Sequence, residues 1–132
     1  MNAPPRAAPR CLVVDDSALV RRLVRDALAA LPTSGVDEAA DGREALACCA
    51  AHTYDLVWTD RDMPVLDGLG FVAQLRALPG YAAVPVVMLS SDAPPAVPLA
   101  QLGLSAYLRK PVCAAEIVAT ASAWLKPSPG QW

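Results

Sequence analysis

The chain predicts an α/β fold: one doubly wound sheet of five parallel strands with five helices on its two faces, the fourth helix shortened or irregular. Three observations carry this. From residue 11 onward, short apolar runs alternate with stretches whose apolar residues recur every three or four positions. The runs are continuously apolar, the pattern of strands buried on both faces of a parallel sheet. Proline, glycine and aspartate fall between the two kinds of stretch. Such repeats use nearly all of the 132 residues, so a single domain with right-handed crossovers is expected, and no further internal repeat is visible.

Residues 11–14 form the first apolar run, ending in Asp15 and Asp16. Ser17 opens a helix in which Leu19, Val20, Leu23, Val24, Ala27, Leu28 and Leu31 recur at helical spacing, and Pro32 and Gly35 stop it. Residues 36–39 make a weak second strand. Asp41 and Gly42 form a turn before a second helix over 43–51. Residues 56–59 are the third strand, ending at Asp60. Pro64 and Gly68 punctuate a loop, with Asp67 placed as a cap, and a third helix follows over 69–78. The fourth strand, 84–89, is the most apolar and stops at Ser90 and Ser91. Residues 92–102 should hold the fourth helix but contain Pro94, Pro95 and Pro98, and an interior proline costs a helix about 3 kcal/mol or more. A last strand at 106–108 and an amphipathic helix over 114–125 complete the domain, with Cys113 at the position that caps that helix.

Composition excludes several functions. The chain is 55% hydrophobic and 18% charged with a net charge of −2, which is globular. A domain of this size buries roughly two-thirds of its unfolded surface and needs neither disulfides nor a structural metal. The densest basic group, Arg21, Arg22 and Arg25, reads as a solvated helix face, so no nucleic-acid partner is expected. No apolar run approaches a membrane span, and the first ten residues lack a signal peptide's apolar core. A cytoplasmic protein is expected, with a flexible leader over 1–9, a domain over 10–126 and a flexible tail over 127–132. Cys11, Cys48, Cys49 and Cys113 fit no zinc spacing and are expected to be free, buried thiols. His52 is placed at a helix end.

The polar residues matter because of where they fall. Asp15 and Asp16 end the first strand, Asp60 the third, Ser90 and Ser91 the fourth, and Lys110 follows the fifth. In a parallel sheet these ends share one edge, where open α/β sheets bind ligands. Three clustered carboxylates repel one another, and a divalent cation such as Mg²⁺ relieves that. Asp60 could then attack phosphorus in line. Lys110 would neutralise the phosphoryl oxygens and the Ser90 hydroxyl would bond another. Any one of these residues alone would read as a cap or turn former; the combination on successive strand ends carries the argument.

Taken together, the segments Leu12-Val13-Val14-Asp15-Asp16-Ser17, Ala39-Ala40-Asp41-Gly42-Arg43-Glu44-Ala45-Leu46, Asp60-Arg61-Asp62-Met63-Pro64 with Asp67-Gly68, Val86-Val87-Met88-Leu89-Ser90-Ser91 and Tyr107-Leu108-Arg109-Lys110-Pro111 resemble the receiver domain of bacterial response regulators, of the stand-alone single-domain kind. The resemblance implies a flavodoxin-like fold and a phosphoacceptor, matched by Asp60. It also implies a direct Mg²⁺ ligand matched by Asp16 and a largely water-mediated one matched by Asp15. Asp62 falls where the family supplies a backbone carbonyl to the metal. Ser90 matches the hydroxyl that follows the phosphoryl group, Lys110 the phosphate-binding lysine, and Tyr107 the aromatic that moves when the hydroxyl shifts. The Lys110–Pro111 bond is expected to be cis. A sensor histidine kinase or phosphotransfer protein would be the donor. A protein target would read the region of the fourth helix, fifth strand and fifth helix, and a monomer or weak dimer is expected.

The sequence departs from the family pattern at Ser91, where Ala or Gly is usual, in the proline-bearing 92–102 segment, and at Cys113, read as a weak cap. Asp62 and Asp92 add acidic side chains near the metal edge; they read as solvated charge or, in a sharper version, as tuners of phosphoryl lifetime. Two other functions compete. The altered fourth helix would suit an interaction module that never needs phosphate. Asp60-Arg61-Asp62 also resembles the nucleophile motif of haloacid-dehalogenase-type phosphatases, though that motif normally ends a first strand. The expectation is a phosphoacceptor, not an enzyme with a separate substrate.

Overall fold

A computed structural model describes residues 8–33 and 35–125. The expected leader, apart from residues 8 and 9, and the tail over 127–132 lie outside the described residues. Five parallel strands form one sheet in the order β2-β1-β3-β4-β5: β1 (Arg10–Val14), β2 (Gly35–Ala39), β3 (Leu56–Asp60), β4 (Val86–Ser90) and β5 (Ala106–Arg109). Helices α1 (Ala18–Leu28) and α4 (Ala114–Trp124) pack together, as do α2 (Gly42–Ala51) and α3 (Gly68–Leu75).

Why the strands are continuously apolar is visible in the core. Successive side chains of a strand point to opposite faces. Leu12, Val14, Val57, Val86 and Met88 join Phe71, Val72 and Leu75 of α3 in one cluster. Their neighbours Cys11, Val13, Leu56, Trp58, Val87 and Leu89 join Val24, Leu28 and Ile117 of α1 and α4 in the other. Each strand therefore feeds two cores, and neither face can be polar. The edge strands depart from this: β5 is half-buried with Arg109 exposed, and β2 is mostly half-buried and carries charge. In β2 the polar residues are held by pairing. Its Asp37 and Glu38 are half-buried and paired, Asp37 with Arg10 at 2.8 Å and Glu38 with Arg21 at 3.1 Å and Arg25 at 3.0 Å. Salt bridges and the Tyr54 hydroxyl on Asp37 at 2.6 Å hold this edge where apolar burial is thin.

Among the described residues four α-helices form, not five. The expected fourth helix is reduced to a 3₁₀ turn, Leu99–Leu102, preceded by Pro98. Pro94, Pro95 and Pro98 lack the N–H groups a helix would need there, so the chain from Asp92 to Pro98 crosses as loop. The periodicity of α1 also overreached: Val24, Ala27 and Leu28 are buried, whereas Leu19 is 79% exposed. Gly35 begins β2 instead of merely ending the preceding helix. α3 stops at Leu75, and Arg76, its C-cap residue, turns its guanidinium inward. That guanidinium donates to the carbonyls of Tyr81 at 3.0 Å, Val84 at 2.7 Å and Gly103, binding the segment before β4 to the turn before β5.

The caps are mostly those the sequence indicates. Ser17, Asp41 and Asp67 each accept an amide of their own helix, and His52 ends α2 at the surface. At α4 the Glu116 carboxylate accepts the Cys113 amide at 3.3 Å, reinforcing a cap residue of weak propensity. The four cysteines are free, but only Cys11 and Cys49 are buried; Cys48 is half-buried and Cys113 exposed, since a cap position faces solvent. Burial pushes the Cys11 thiol up to about 12, which removes it from thiolate chemistry. No helix among the described residues is long and apolar enough to cross a membrane.

Candidate functional site

The carboxyl ends of β1, β3, β4 and β5 meet at one edge of the sheet. Asp15 continues the ladder past β1, its amide donating to Ala39 at 3.1 Å, and this draws its side chain to complete burial. Oδ1 of Asp15 accepts the Ser17 amide at 2.9 Å, and the Arg21 guanidinium donates to the Asp15 carbonyl at 2.6 Å. Asp16, one residue on, faces solvent. Asp60 ends β3 and is 6% exposed. Its backbone carbonyl accepts the Thr59 hydroxyl at 2.9 Å, and its Oδ1 accepts the Arg61 amide at 2.9 Å.

The start of α3 presses on this strand end. A Cβ at Gly68 would lie 2.2 Å from the Asp60 carbonyl, so only glycine lets the helix begin there. The loop between them is pinned by the Gly68 amide on the Arg61 carbonyl at 2.9 Å and the Gly42 amide on the Leu66 carbonyl at 3.2 Å.

Lys110 closes the site from β5. Its amide donates to the Ser90 carbonyl at 2.7 Å, and the Lys110–Pro111 bond is cis, as expected. Its ammonium lies 3.0 Å from Asp15 Oδ2 and 3.1 Å from Asp60 Oδ1. Burial alone would lower the Lys110 pKa, but the bonds and charges of Asp15 and then Asp60 outweigh it, leaving the ammonium more basic than usual. Asp60 is shifted upward: burial and then the Asp15 charge oppose its ionisation more than Lys110 and the Arg61 amide favour it. Oxygens of Asp15, Asp16 and Asp60 all lie within 4.8 Å of one another. Such hard, partly unpaired oxygen donors fit a divalent cation of the alkaline-earth kind.

Of the remaining residues singled out from sequence, Ser90 is buried, and its Oγ accepts the Asp92 amide at 3.0 Å. Tyr107 is half-buried, its hydroxyl donating to the Asp92 carbonyl at 3.0 Å. Asp62 and Asp92 are exposed, and the Asp62 carboxylate is not one of the three-residue group. Ser91 is exposed, which is why its extra hydroxyl is accommodated. Arg61 escaped the sequence reading. Its guanidinium donates to the Tyr107 hydroxyl at 3.3 Å, across the end of β4. Only the strand order, which sets β4 between β3 and β5, makes that contact visible.

The family model of the response regulator receiver domain matches residues 11–122. A gliding motility regulatory protein of Myxococcus xanthus is 40% identical over 122 residues, covering 91% of this chain; the chain spans only 16% of that protein's length. Among solved structures, the chemotaxis response regulator CheY4 of Vibrio cholerae superposes with a TM-score of 0.83 at 31% identity, over 90% of this chain and all of that one. The receiver domain of a sensor histidine kinase from Pseudomonas aeruginosa, solved with a magnesium ion in its active-site cleft, gives a TM-score of 0.79 at 28% identity, covering 90% of this chain and 98% of that one.

Proposed function

This chain belongs to the response regulator receiver family of two-component signalling, and we propose that it accepts a phosphoryl group on Asp60 from a phosphohistidine in a Mg²⁺-dependent reaction and thereby switches its affinity for a protein target. The single observation that carries this is the shared Lys110 ammonium between two buried carboxylates at the strand edge, beside the exposed Asp16. The described hydrogen bonds to the Asp60 side chain fall on Oδ1, which leaves Oδ2 to attack phosphorus. The O–P bond forms as the N–P bond of the donor histidine breaks, and the phosphoryl group leaves imidazole behind.

Asp15, Asp16 and Asp60, with the Asp62 carbonyl, would hold the Mg²⁺, which when bound supplies the charge that screens Asp60 and the phosphoryl oxygens from each other. Lys110 then moves its charge from Asp60 Oδ1 to a phosphoryl oxygen. The Ser90 side chain swings to donate its hydroxyl proton to another, which carries its Oγ away from the Asp92 amide. Tyr107 follows the Ser90 hydroxyl. Asp62 and Asp92 stand at the rim, where their charge would set water access and so phosphoryl lifetime.

In this reading the chain is a phosphoacceptor that works in the cytoplasm on no separate substrate. Its donor is a sensor histidine kinase or phosphotransfer protein, and its target reads the surface of the 3₁₀ turn, β5 and α4. Acetyl phosphate with Mg²⁺ should add the mass of one phosphoryl group to wild type and none to Asp60→Asn. If neither acetyl phosphate nor beryllofluoride modifies wild type, the reading fails and a phosphate-independent module takes its place; that second reading is favoured by the loss of the fourth helix. Sustained hydrolysis of p-nitrophenyl phosphate would point to a phosphatase.

A further inference from the structure

A continuous path of hydrogen bonds joins the two side chains that a phosphoryl group would engage. It starts at Asp60 Oδ1, which accepts the Arg61 amide at 2.9 Å. The guanidinium of the same arginine donates to the Tyr107 hydroxyl at 3.3 Å. That hydroxyl has one proton and donates it to the Asp92 carbonyl at 3.0 Å, so its lone pairs are free to receive Arg61. The Asp92 amide ends the path on Ser90 Oγ at 3.0 Å. The arginine is cationic at any ordinary pH, and the acidic Asp62 and Asp92 lie near its guanidinium. The path crosses open ground because the proline-bearing segment beyond Asp92 forms no helix.

We propose that Arg61 is a positioning residue for Tyr107, pinning its hydroxyl against the Asp92 backbone so that the aromatic ring answers to the state of Asp60 and Ser90. This rests on the phosphoacceptor reading above for the coupling, but the pinning belongs to the unmodified protein. When Ser90 turns its hydroxyl toward a phosphoryl oxygen, the Asp92 amide loses its acceptor and the segment carrying the Asp92 carbonyl loosens. Tyr107 then keeps Arg61 as the one side-chain partner of its hydroxyl among the described residues, because the Ala93 carbonyl, at 3.4 Å, moves with the same segment. Arg61 therefore selects where the ring goes, and does so without touching the reacting atoms.

The chain has three tyrosines, so fluorotyrosine labelling gives a ¹⁹F spectrum in which the buried Tyr54 and Tyr81 serve as internal controls and Tyr107→Phe assigns the third signal. Arg61→Ala should move the Tyr107 signal toward the value of a free tyrosine before any phosphate analogue is added. The pinned-to-free ratio should shift about three- to tenfold, the weight of one ordinary hydrogen bond, as suits a long and solvent-facing contact. Arg61→Lys should restore part of it. With Mg²⁺ and beryllofluoride, wild type should show a Tyr107 shift that Arg61→Ala largely loses. A Tyr107 signal unchanged in Arg61→Ala overturns the proposal, as does an equal movement of all three signals, which would mean general damage. If beryllofluoride moves nothing in wild type, the phosphoacceptor reading and the coupling fall, while the spectra of the unmodified proteins still decide the pinning.

Discussion

The Lys110 ammonium is bound to Asp15, 3.0 Å from its Oδ2, as closely as it is to Asp60. Asp15 is wholly buried, and Lys110 is the one cation bonded to its carboxylate among the described residues. Lys110→Met should therefore cost about 2–3 kcal/mol in urea unfolding, because it strands a buried carboxylate; the partial exposure of Lys110 keeps the loss below the full value for a buried pair. The pH dependence follows from the raised Lys110 pKa. The folded state holds this proton more tightly than the unfolded chain. Its stabilisation is whole below the ordinary lysine value of 10.5 and is lost as pH rises through the higher folded value. Wild type should converge on Lys110→Met only on that alkaline limb.

Asp60 carries the opposite sign. Its folded pKa lies above the ordinary 3.8, so the native state binds the proton more tightly and stability falls as pH rises through that window. At neutral pH the ionised carboxylate destabilises the fold. Asp60→Asn, which keeps an oxygen for the Arg61 amide, should be more stable than wild type by about 1 kcal/mol at pH 7, a size common for relieving a strained functional site. The gain should shrink as pH falls through the raised folded value, where wild-type Asp60 takes up its proton. Saturating Mg²⁺ should also narrow the gap, since it stabilises wild type by mass action and the variant less. A variant no more stable than wild type at pH 7 without Mg²⁺ would contradict this. Thermal melts across pH, with and without the metal, measure it.

Much of this was legible because it is local. Continuous apolar runs mark strands that feed two cores, and the residue after each run marks the edge: Asp15, Asp60, Ser90 and Lys110 converge there. Asp41 and Asp67 announced their own helices by simple capping chemistry. What the sequence concealed is long-range. Arg76 lies in the middle of an apparent helical stretch, and nothing nearby says that it will bind three carbonyls from two later segments. Arg61 looks like a loop charge until strand order carries it to Tyr107. Leu19 fits the helical period of α1 yet stays exposed, because periodicity gives a face but not how wide a strip the sheet covers.

Arg76 should be intolerant of lysine. Its planar guanidinium reaches Tyr81, Val84 and Gly103 with separate N–H groups, which one ammonium nitrogen cannot reproduce. Burial lowers its pKa, and among the described residues no carboxylate compensates, so the carbonyls carry the solvation of the charge. Arg76→Lys should cost about 1–2 kcal/mol and Arg76→Ala about 3 kcal/mol, the scale of hydrogen bonds to a charged group. Hydrogen exchange should show the loss at the amides of Tyr81, Leu104 and Ser105 before it reaches β1 or β3. Uniform exchange across the sheet would mean that Arg76 is an ordinary contributor to the fold.

Val65, in the loop after Asp60, has a φ of 72°, in the left-handed region that a β-branched residue adopts only at a cost. Its side chain is 74% exposed, so little packing offsets the strain. The conformation is imposed from both sides: Leu66 gives its carbonyl to Gly42 and its amide to Pro64, and Gly68 is wedged against Asp60. Val65→Gly removes the clash but adds freedom to the unfolded chain, while Val65→Asn removes most of the clash and adds less. Both should stabilise the protein, Val65→Asn by about 1 kcal/mol and Val65→Gly by about half as much. Val65→Ile, with the same branching, should gain nothing. Because the loop carries Arg61 and Asp62, the stabilised variants should also show slower amide exchange at both residues. A Val65→Asn protein melting at or below the wild-type temperature would show that the strain is relieved elsewhere in the loop.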